Sequence, residues 1–266
     1  PPTWALLLAE SCRSVGFKVS IIDANAENLS EESVLERISK YNPRLLCLVV
    51  YGQNVNAGTT NMRGAVDISN YLKEKKISSP VAFIGSHVQA LPIETLKKEK
   101  DIDIVFTNEG VYALRNLLKL DNFSPKNLEQ IKGIAYRDSG KININLPEKI
   151  VPMERMDIDL PGYAWDLLPY EKKPMDLYRS PMWHAEYDFE KRSPYASLQT
   201  SLGCVFKCDF CMINLINRND SAEVGVAGNY SNMRFWSTDF IIKEFDKLIE
   251  MGVETIRIVD EMFLLN

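Results

Sequence analysis

The stretch LLCLVVY at residues 45–51 is a continuous apolar run, which is typical of a parallel strand buried on both faces. On either side of it, short apolar runs alternate with helical patterns over residues 1–120, as in parallel strands joined by crossover helices. The predicted strands are 18–23, 45–51, 81–84 and 102–106, and the predicted helices are 3–15, 31–40, 61–75, 91–98 and 109–119. We therefore predict an α/β fold that begins with a Rossmann-like open parallel sheet.

A hairpin, a linker and a second α/β region follow this sheet. Two short strand patterns, 133–136 and 141–145, flank a turn and predict the hairpin, and residues 147–194 are polar and contain prolines without clear periodicity. A strand at 196–200, a helix at 238–251 and a strand at 255–259 then begin a unit too small to bury its own faces. The predicted domains are 1–125, 126–194 and 195–266, with the second α/β domain incomplete and both chain ends expected to be truncated.

Composition narrows the classes of function. The chain has 266 residues, 45% of them hydrophobic, and a formal net charge of -5, which disfavours nonspecific nucleic-acid binding. It contains no run of about twenty apolar residues, and its start, Pro1-Pro2-Thr3-Trp4, lacks the basic region of a signal peptide. We expect a cytoplasmic protein with no nucleic-acid partner and no membrane insertion.

Three of the five cysteines, Cys204, Cys208 and Cys211, lie within eight positions after the strand predicted at 196–200. Such thiolates can bind an iron-sulfur cluster and leave one iron without a protein ligand. Structural zinc would need a fourth ligand such as His184, and a redox pair of the last two cysteines would leave the first without a role. The other two cysteines, Cys12 and Cys47, are expected to be core residues.

The C-x3-C-x2-C loop, with Phe210 before its last cysteine, resembles the radical S-adenosylmethionine superfamily. The resemblance implies a 4Fe-4S cluster on Cys204, Cys208 and Cys211, with S-adenosylmethionine chelating the open iron. An electron from the cluster would then cleave the sulfonium to give a 5′-deoxyadenosyl radical. The resemblance also implies that Phe210 flanks the adenine and that Asp260 and Glu261 bind the methionyl ammonium. The alternative roles are core packing for the aromatic residue and solvated strand-end positions for the two acids.

The domain order resembles more narrowly the cobalamin-binding class of that superfamily, because an open α/β domain and a linker precede the cysteine loop. The resemblance implies that residues 1–125 form a Rossmann-like cobalamin-binding domain and that residues 195–266 begin a radical S-adenosylmethionine partial (β/α) barrel. Loops after the carboxyl ends of the strands would line one edge and surround the corrin or its tail. The residues implied as cobalamin contacts are Tyr51, Gly52, Gln53, Gly85, Ser86, His87, Asn108, Glu109 and Gly110. The Asp-x-His-x-x-Gly motif is absent, so no histidine on cobalt is expected. His87 is either a ligand contact or a hydrogen-bonded loop residue.

The resemblance implies an enzyme that acts on an unreactive carbon, by methyl transfer through cobalamin or by radical cyclisation or rearrangement. Its expected partners are a small-molecule substrate and an external electron donor such as flavodoxin or ferredoxin. Two alternatives remain: a radical enzyme whose first domain is a cobalamin-free scaffold, and a non-catalytic metal-binding interaction protein. Methylthiolation of transfer RNA is disfavoured, because the first domain lacks three cysteines for a second cluster.

Overall fold

The structure is a computed structural model that describes residues 1–52, 57–180, 187–206, 208, 210–216 and 233–263. Its contacts divide the chain into two compact units. The sheet unit comprises residues 31–151 and 203–232, and the terminal unit comprises residues 1–30, 152–202 and 233–266. Within the described ranges, no helix combines the length and the apolar composition that crossing a membrane requires.

The described residues form ten helices and nine strands. The helices are α1 (Thr3–Arg13), α2 (Glu31–Tyr41), α3 (Gly58–Glu74), α4 (Ser86–Ala90), α5 (Pro92–Lys98), α6 (Val111–Leu118), α7 (Pro125–Leu128), α8 (Met156–Asp159), α9 (Ile213–Ile216) and α10 (Thr238–Glu250). The strands are β1 (Leu46–Val49), β2 (Val81–Ile84), β3 (Ile104–Phe106), β4 (Ile134–Asp138), β5 (Lys141–Ile144), β6 (Tyr195–Leu198), β7 (Ser201–Leu202), β8 (Arg234–Phe235) and β9 (Thr255–Ile258).

The sheet unit is built on a five-stranded sheet in the order β1-β2-β3-β4-β5. The first three strands are parallel, and β4 and β5 join them as an antiparallel hairpin. Ser139 and Gly140 both have positive φ, at 48° and 84°, which is the backbone twist that a two-residue hairpin turn requires. The α/β fold class and the appended hairpin are therefore confirmed, and the sheet is mixed.

The core of this unit lies on the two inner parallel strands. All four residues of β2 are fully buried, as is Phe106 on β3. Strands covered on both faces need an apolar side chain at every position, which explains why these segments are continuous apolar runs. The predicted helix at 91–98 is observed as α5, with Pro92 at its first position, and Leu91 separates it from α4, which was not predicted.

The terminal unit contains the parallel pair β6 and β9, the antiparallel pair β7 and β8, and helices α1, α8 and α10. Ser237 caps α10 by accepting a hydrogen bond of 3.2 Å from the backbone N–H of Phe240. Thr3 Oγ1 lies 3.1 Å from Ser197 Oγ on β6, within hydrogen-bonding distance. The start of the chain therefore contacts β6, the strand that precedes the cysteine segment, by which we mean residues 203–216.

Two predictions about the first strands are wrong. Residues 18–23 form no strand, because this segment belongs to the terminal unit, where Asp23 accepts a hydrogen bond of 2.8 Å from Tyr178 Oη. The run at 45–51 forms only the four-residue β1, and its residues are half-buried because β1 is the edge of the sheet. The contact division also differs from the predicted boundary at residue 125, since residues 1–30 contact the terminal unit; the domain limits stay a prediction.

Candidate functional site

Two of the three predicted loops meet at the carboxyl ends of the parallel strands through Gln89 on α4. Its Nε2 donates hydrogen bonds to Tyr51 Oη, at 2.9 Å, and to the backbone oxygen of Asn108. Burial raises the pKa of Tyr51, so the phenol stays protonated and neutral at physiological pH. The structure thus brings together residues that follow β1 and β3, as predicted from the sheet edge.

The Asn108-Glu109-Gly110 loop holds a neighbouring segment of the sheet unit. Asn108 Nδ2 donates to the backbone oxygen of Glu148 at 2.6 Å, and its Oδ1 accepts from the N–H of Gly110 at 3.1 Å. Glu109 Oε1 accepts from the N–H of Val151 at 2.6 Å. Both side chains are buried, so these bonds satisfy groups that would be costly to leave unpaired.

The loop after β2 brings backbone and hydroxyl groups into close contact. A Cβ placed on Gly85 would lie 2.0 Å from the backbone oxygen of Val50, so only glycine fits. Ser86 is 1% exposed, and its Oγ has no hydrogen-bond partner among the described residues. A hydroxyl of this kind is unsatisfied until another group supplies an acceptor or donor.

His87 is held by a side chain of α3. Its Nδ1 lies 2.9 Å from Thr59 Oγ1, within hydrogen-bonding distance. Burial lowers the pKa of His87, and the charge of Lys98 lowers it further. The imidazole is therefore neutral at pH 7, and the ring orientation is fixed by the contact with Thr59.

The cysteine segment presents three free thiols. Cys208 is exposed, and Cys204 and Cys211 are half-buried. The backbone N–H of Phe206 donates to Cys204 Sγ at 3.4 Å, and the N–H of Cys211 donates to the oxygen of Cys208 at 3.0 Å. A hydrogen bond to sulfur, such as the one to Cys204 Sγ, influences the reduction potential of an iron-sulfur cluster. The predicted adenine contact, Phe210, is 81% exposed.

In the described part of the chain, no group of three His, Cys, Asp or Glu side chains is close enough to hold a metal ion. The structure thus places the three thiols on one segment without gathering their sulfur atoms. The donor set fits an iron-sulfur cluster by its chemistry, since it offers three reduced cysteines with solvent access. Residues 207 and 209, between these cysteines, lie outside the described residues.

The cysteine segment ends in α9, which packs against α4 within the sheet unit. The two terminal residues of α9, Ile213 and Ile216, are buried. Because α4 directly follows Gly85, the cysteine segment lies beside the edge at which the parallel strands end. The proximity of the two features follows from the fold and not from any local sequence pattern.

The two acids after β9 differ in their surroundings. Asp260 accepts three hydrogen bonds from Thr200 and Ser201. Glu261 is exposed by surface area, but the protein atoms around it remove part of its hydration, and this desolvation, with the charge of Asp260, raises its pKa to about 7. The structure therefore gives the two predicted contacts of S-adenosylmethionine different environments.

Some expected residues lie outside the described part, and one important residue was missed. Gln53 and His184 fall outside the described residues. Gln89, which joins two of the predicted loops, was not predicted. The only signal for it in the sequence is a polar residue between Val88 and Ala90 in a short helix, and this becomes informative only once the residue is known to be buried.

Comparisons with known proteins give a family match for the first domain and relatives for the chain. Residues 1–118 match the B12 binding domain family. Over its whole length, the chain is 28% identical to an uncharacterized methyltransferase of Pyrococcus horikoshii, half of which it covers. It is 23% identical to the anaerobic magnesium-protoporphyrin IX monomethyl ester cyclase of Synechocystis sp., matching 79% of this chain and 38% of the cyclase. It is also 23% identical to the hopanoid C-3 methylase of Methylococcus capsulatus, matching 93% of this chain and 40% of the methylase.

Solved structures share the fold. The cobalamin-dependent S-adenosylmethionine radical enzyme OxsB, with aqua-cobalamin and S-adenosylmethionine bound, aligns with a TM-score of 0.67 at 18% identity, over 98% of this chain and 32% of OxsB. The radical S-adenosylmethionine methyltransferase TsrM from Kitasatospora setae, with tryptophan and an S-adenosylmethionine analogue bound, aligns with a TM-score of 0.63 at 15% identity, over 98% of this chain and 45% of TsrM. The match of the first domain and the similarity along the chain support the resemblance to the cobalamin-binding class of radical S-adenosylmethionine proteins. The chain spans about half the length, or less, of these relatives.

Proposed function

We propose that the protein is a radical S-adenosylmethionine enzyme that uses a 4Fe-4S cluster and cobalamin to act on an unreactive carbon of a small molecule. The reaction is either methyl transfer or radical cyclisation or rearrangement, in line with the relatives, which include methylases and a cyclase. An external electron donor such as flavodoxin or ferredoxin reduces the cluster. The cluster, when bound, supplies the electron that cleaves S-adenosylmethionine.

The observation that supports this proposal most directly is the packing of α9 against α4. This contact sets the cysteine segment beside the sheet edge that follows β2. An enzyme that uses both cofactors on one substrate needs their reactive centres close together, because misplacement by about 1 Å can cost about a hundredfold in rate. A protein that used its α/β domain only as a scaffold would not require this proximity.

Each predicted cofactor residue has a role that its surroundings allow. Cys204, Cys208 and Cys211 hold the cluster through their thiolates, and their free, accessible state suits this task. Phe210 is exposed and can offer its ring face to the adenine. Glu261 is a partly dehydrated carboxylate, which the methionyl ammonium would stabilise by its opposite charge.

Two features of the sheet edge at the carboxyl ends of the parallel strands favour cobalamin binding. Gly85 allows backbone atoms to approach where any side chain would clash, and Ser86 Oγ is a buried hydroxyl without a partner among the described residues. The amide- and phosphate-bearing tail of cobalamin offers acceptors for such a hydroxyl. His87 lies at this edge with a neutral ring, and we assign it to the edge without a bond to cobalt. Gly52 follows β1 at the same edge, and Gly110 directly precedes α6.

Two measurements on the full-length protein test the proposal. After anaerobic reconstitution, hydroxocobalamin is added and corrin absorbance is followed through gel filtration, and S-adenosylmethionine with dithionite is assayed for 5′-deoxyadenosine. We expect co-elution of corrin and formation of 5′-deoxyadenosine. Formation of the nucleoside without corrin binding would support the cobalamin-free scaffold instead. Failure of both, with zinc on the cysteines, would support a non-catalytic metal-binding protein.

A further inference from the structure

The carboxylate of Asp260 accepts three hydrogen bonds inside the terminal unit. Its Oδ1 accepts the backbone N–H of Thr200 at 2.7 Å. Its Oδ2 accepts the hydroxyl of Thr200 and the hydroxyl of Ser201, the latter at 2.8 Å. Three donors in this arrangement stabilise a carboxylate strongly and occupy most of its roughly four acceptor positions.

The residues that Asp260 holds are those that lead into the cysteine segment. Thr200 and Ser201 precede Cys204 by four and three positions, and Ser201 is 1% exposed. The same stretch is held from its other side, because Ser201 and Leu202 form the short ladder of β7 with β8. In addition, the N–H of Trp236 donates to the oxygen of Thr200 at 3.3 Å.

These contacts hold the residues that directly precede the cysteine segment. The β7–β8 ladder pairs residues 201–202 with residues 234–235, which come before and after the cysteine segment in the chain. Gly203, the first residue of that segment, has φ at 98°, a conformation that favours glycine and turns the chain at the end of β7. Asp260 adds the side-chain bonds that fix the residues just before this turn.

We propose that Asp260 is a positioning residue, which holds Thr200 and Ser201 and so fixes the strand end from which the cysteine segment starts when it binds the cluster. In this role Asp260 supports the strand end, and the methionyl ammonium is assigned to Glu261. The inference rests on the proposed function, since it assigns a supporting role to a residue beside the cluster segment. Supporting residues around metal ligands commonly change metal affinity by about 10- to 100-fold when removed.

The test compares reconstituted full-length Asp260→Ala and the double variant Thr200→Val/Ser201→Ala with the wild type. Two variants serve as references: Glu261→Gln for the cofactor contact, and Asp246→Asn for the loss of an exposed carboxylate on α10. Iron loss to a chelator is followed by absorbance, and binding of S-adenosylmethionine by the shift of the reduced cluster signal. Amide exchange at Thr200 reports its hydrogen bond directly.

We expect Asp260→Ala and the double variant to lose iron about 10-fold faster than the wild type, with faster amide exchange at Thr200 in Asp260→Ala. In the fraction of each variant that keeps its cluster, the signal of the reduced cluster should still shift when S-adenosylmethionine is added. Glu261→Gln should keep iron and lose the shift. The opposite pattern, in which Asp260→Ala keeps iron at the wild-type rate or loses only the shift, would overturn the inference. If the wild type takes up no cluster, the proposed function fails first and the inference with it.

Discussion

The indole Nε1 of Trp165 donates a hydrogen bond of 2.8 Å to Oε2 of Glu244, and Glu244 is 1% exposed. Lys247 donates to the other oxygen of the same carboxylate at 2.6 Å. A buried carboxylate is stable only when such partners replace water. Trp165 was predicted to lie in a linker, but it belongs to the core of the terminal unit, where its ring stacks on Tyr163 with centroids 4.9 Å apart.

This relationship predicts the effect of Trp165→Phe. The change removes one partner of a buried carboxylate and should lower the free energy of unfolding by about 1–3 kcal/mol. Urea denaturation followed by circular dichroism measures it. Tyr187→Phe, at a residue that is 81% exposed, is the control and should have little effect. Equal stability of Trp165→Phe and the control would contradict the account.

A pair of glycine substitutions tests the close approach of backbone segments after β2. Gly85→Ala places a Cβ 2.0 Å from the oxygen of Val50, so we expect a marked loss of stability. Gly64 lies inside α3 with no atom within 4 Å of its added Cβ, so Gly64→Ala should stabilise the protein by about 0.5–1 kcal/mol. Thermal melts of the two variants should shift in opposite directions. A harmless Gly85→Ala would show that the contact with Val50 is absent.

Ser86→Ala separates stability from cofactor binding. Removing a buried hydroxyl that has no partner in the described structure should raise the free energy of unfolding without cobalamin by about 1 kcal/mol. The same change should weaken cobalamin binding roughly fivefold, because the hydroxyl is then missing in the complex. Ser69→Ala is the matched control: its Oγ donates to the oxygen of Asp101 at 2.7 Å, so it should lose stability. If Ser86→Ala behaves like Ser69→Ala in both assays, the hydroxyl has no ligand role.

Glu261 should make stability depend on pH. Its pKa is raised from 4.5 to about 7, so the folded protein bears the cost of its charge above pH 7 and bears none below about pH 4.5. This destabilising contribution grows as the pH rises from 4.5 to 7. Glu261→Gln should therefore stabilise the protein more at pH 8 than at pH 4.5, as measured by thermal melts against a Glu250→Gln control. An equal effect at both values would mean that Glu261 is as hydrated in the folded chain as in the unfolded chain.

The parts of the fold that follow from local pattern were predicted correctly. Strand β2 and helix α10 were predicted to within a residue, because a buried apolar run and an amphipathic repeat are local signals. The strand predicted at 18–23 failed because alternating side chains cannot show which neighbour a segment contacts. Asp23 in fact bonds to Tyr178, which lies 155 positions away.

The candidate site was predictable where it depends on motif and topology. The cysteine spacing and the loops at strand ends could be identified from the sequence, since parallel strands end at one edge. The hydrogen bonds of Gln89 and the difference between Asp260 and Glu261 could not, because each depends on which distant donors come within bonding distance. The sequence presents the two acids as equivalent, and only their neighbours distinguish them.

The central claim is that Cys204, Cys208 and Cys211 hold a cluster in which one iron has no protein ligand. Electron paramagnetic resonance of the full-length protein tests this claim most directly. The protein is reconstituted anaerobically and reduced with dithionite, and spectra are recorded with and without S-adenosylmethionine, beside a Cys208→Ala control. We expect a 4Fe-4S signal that shifts when S-adenosylmethionine is added and that is lost in Cys208→Ala. A signal that ignores S-adenosylmethionine, or zinc in place of iron, would contradict the account.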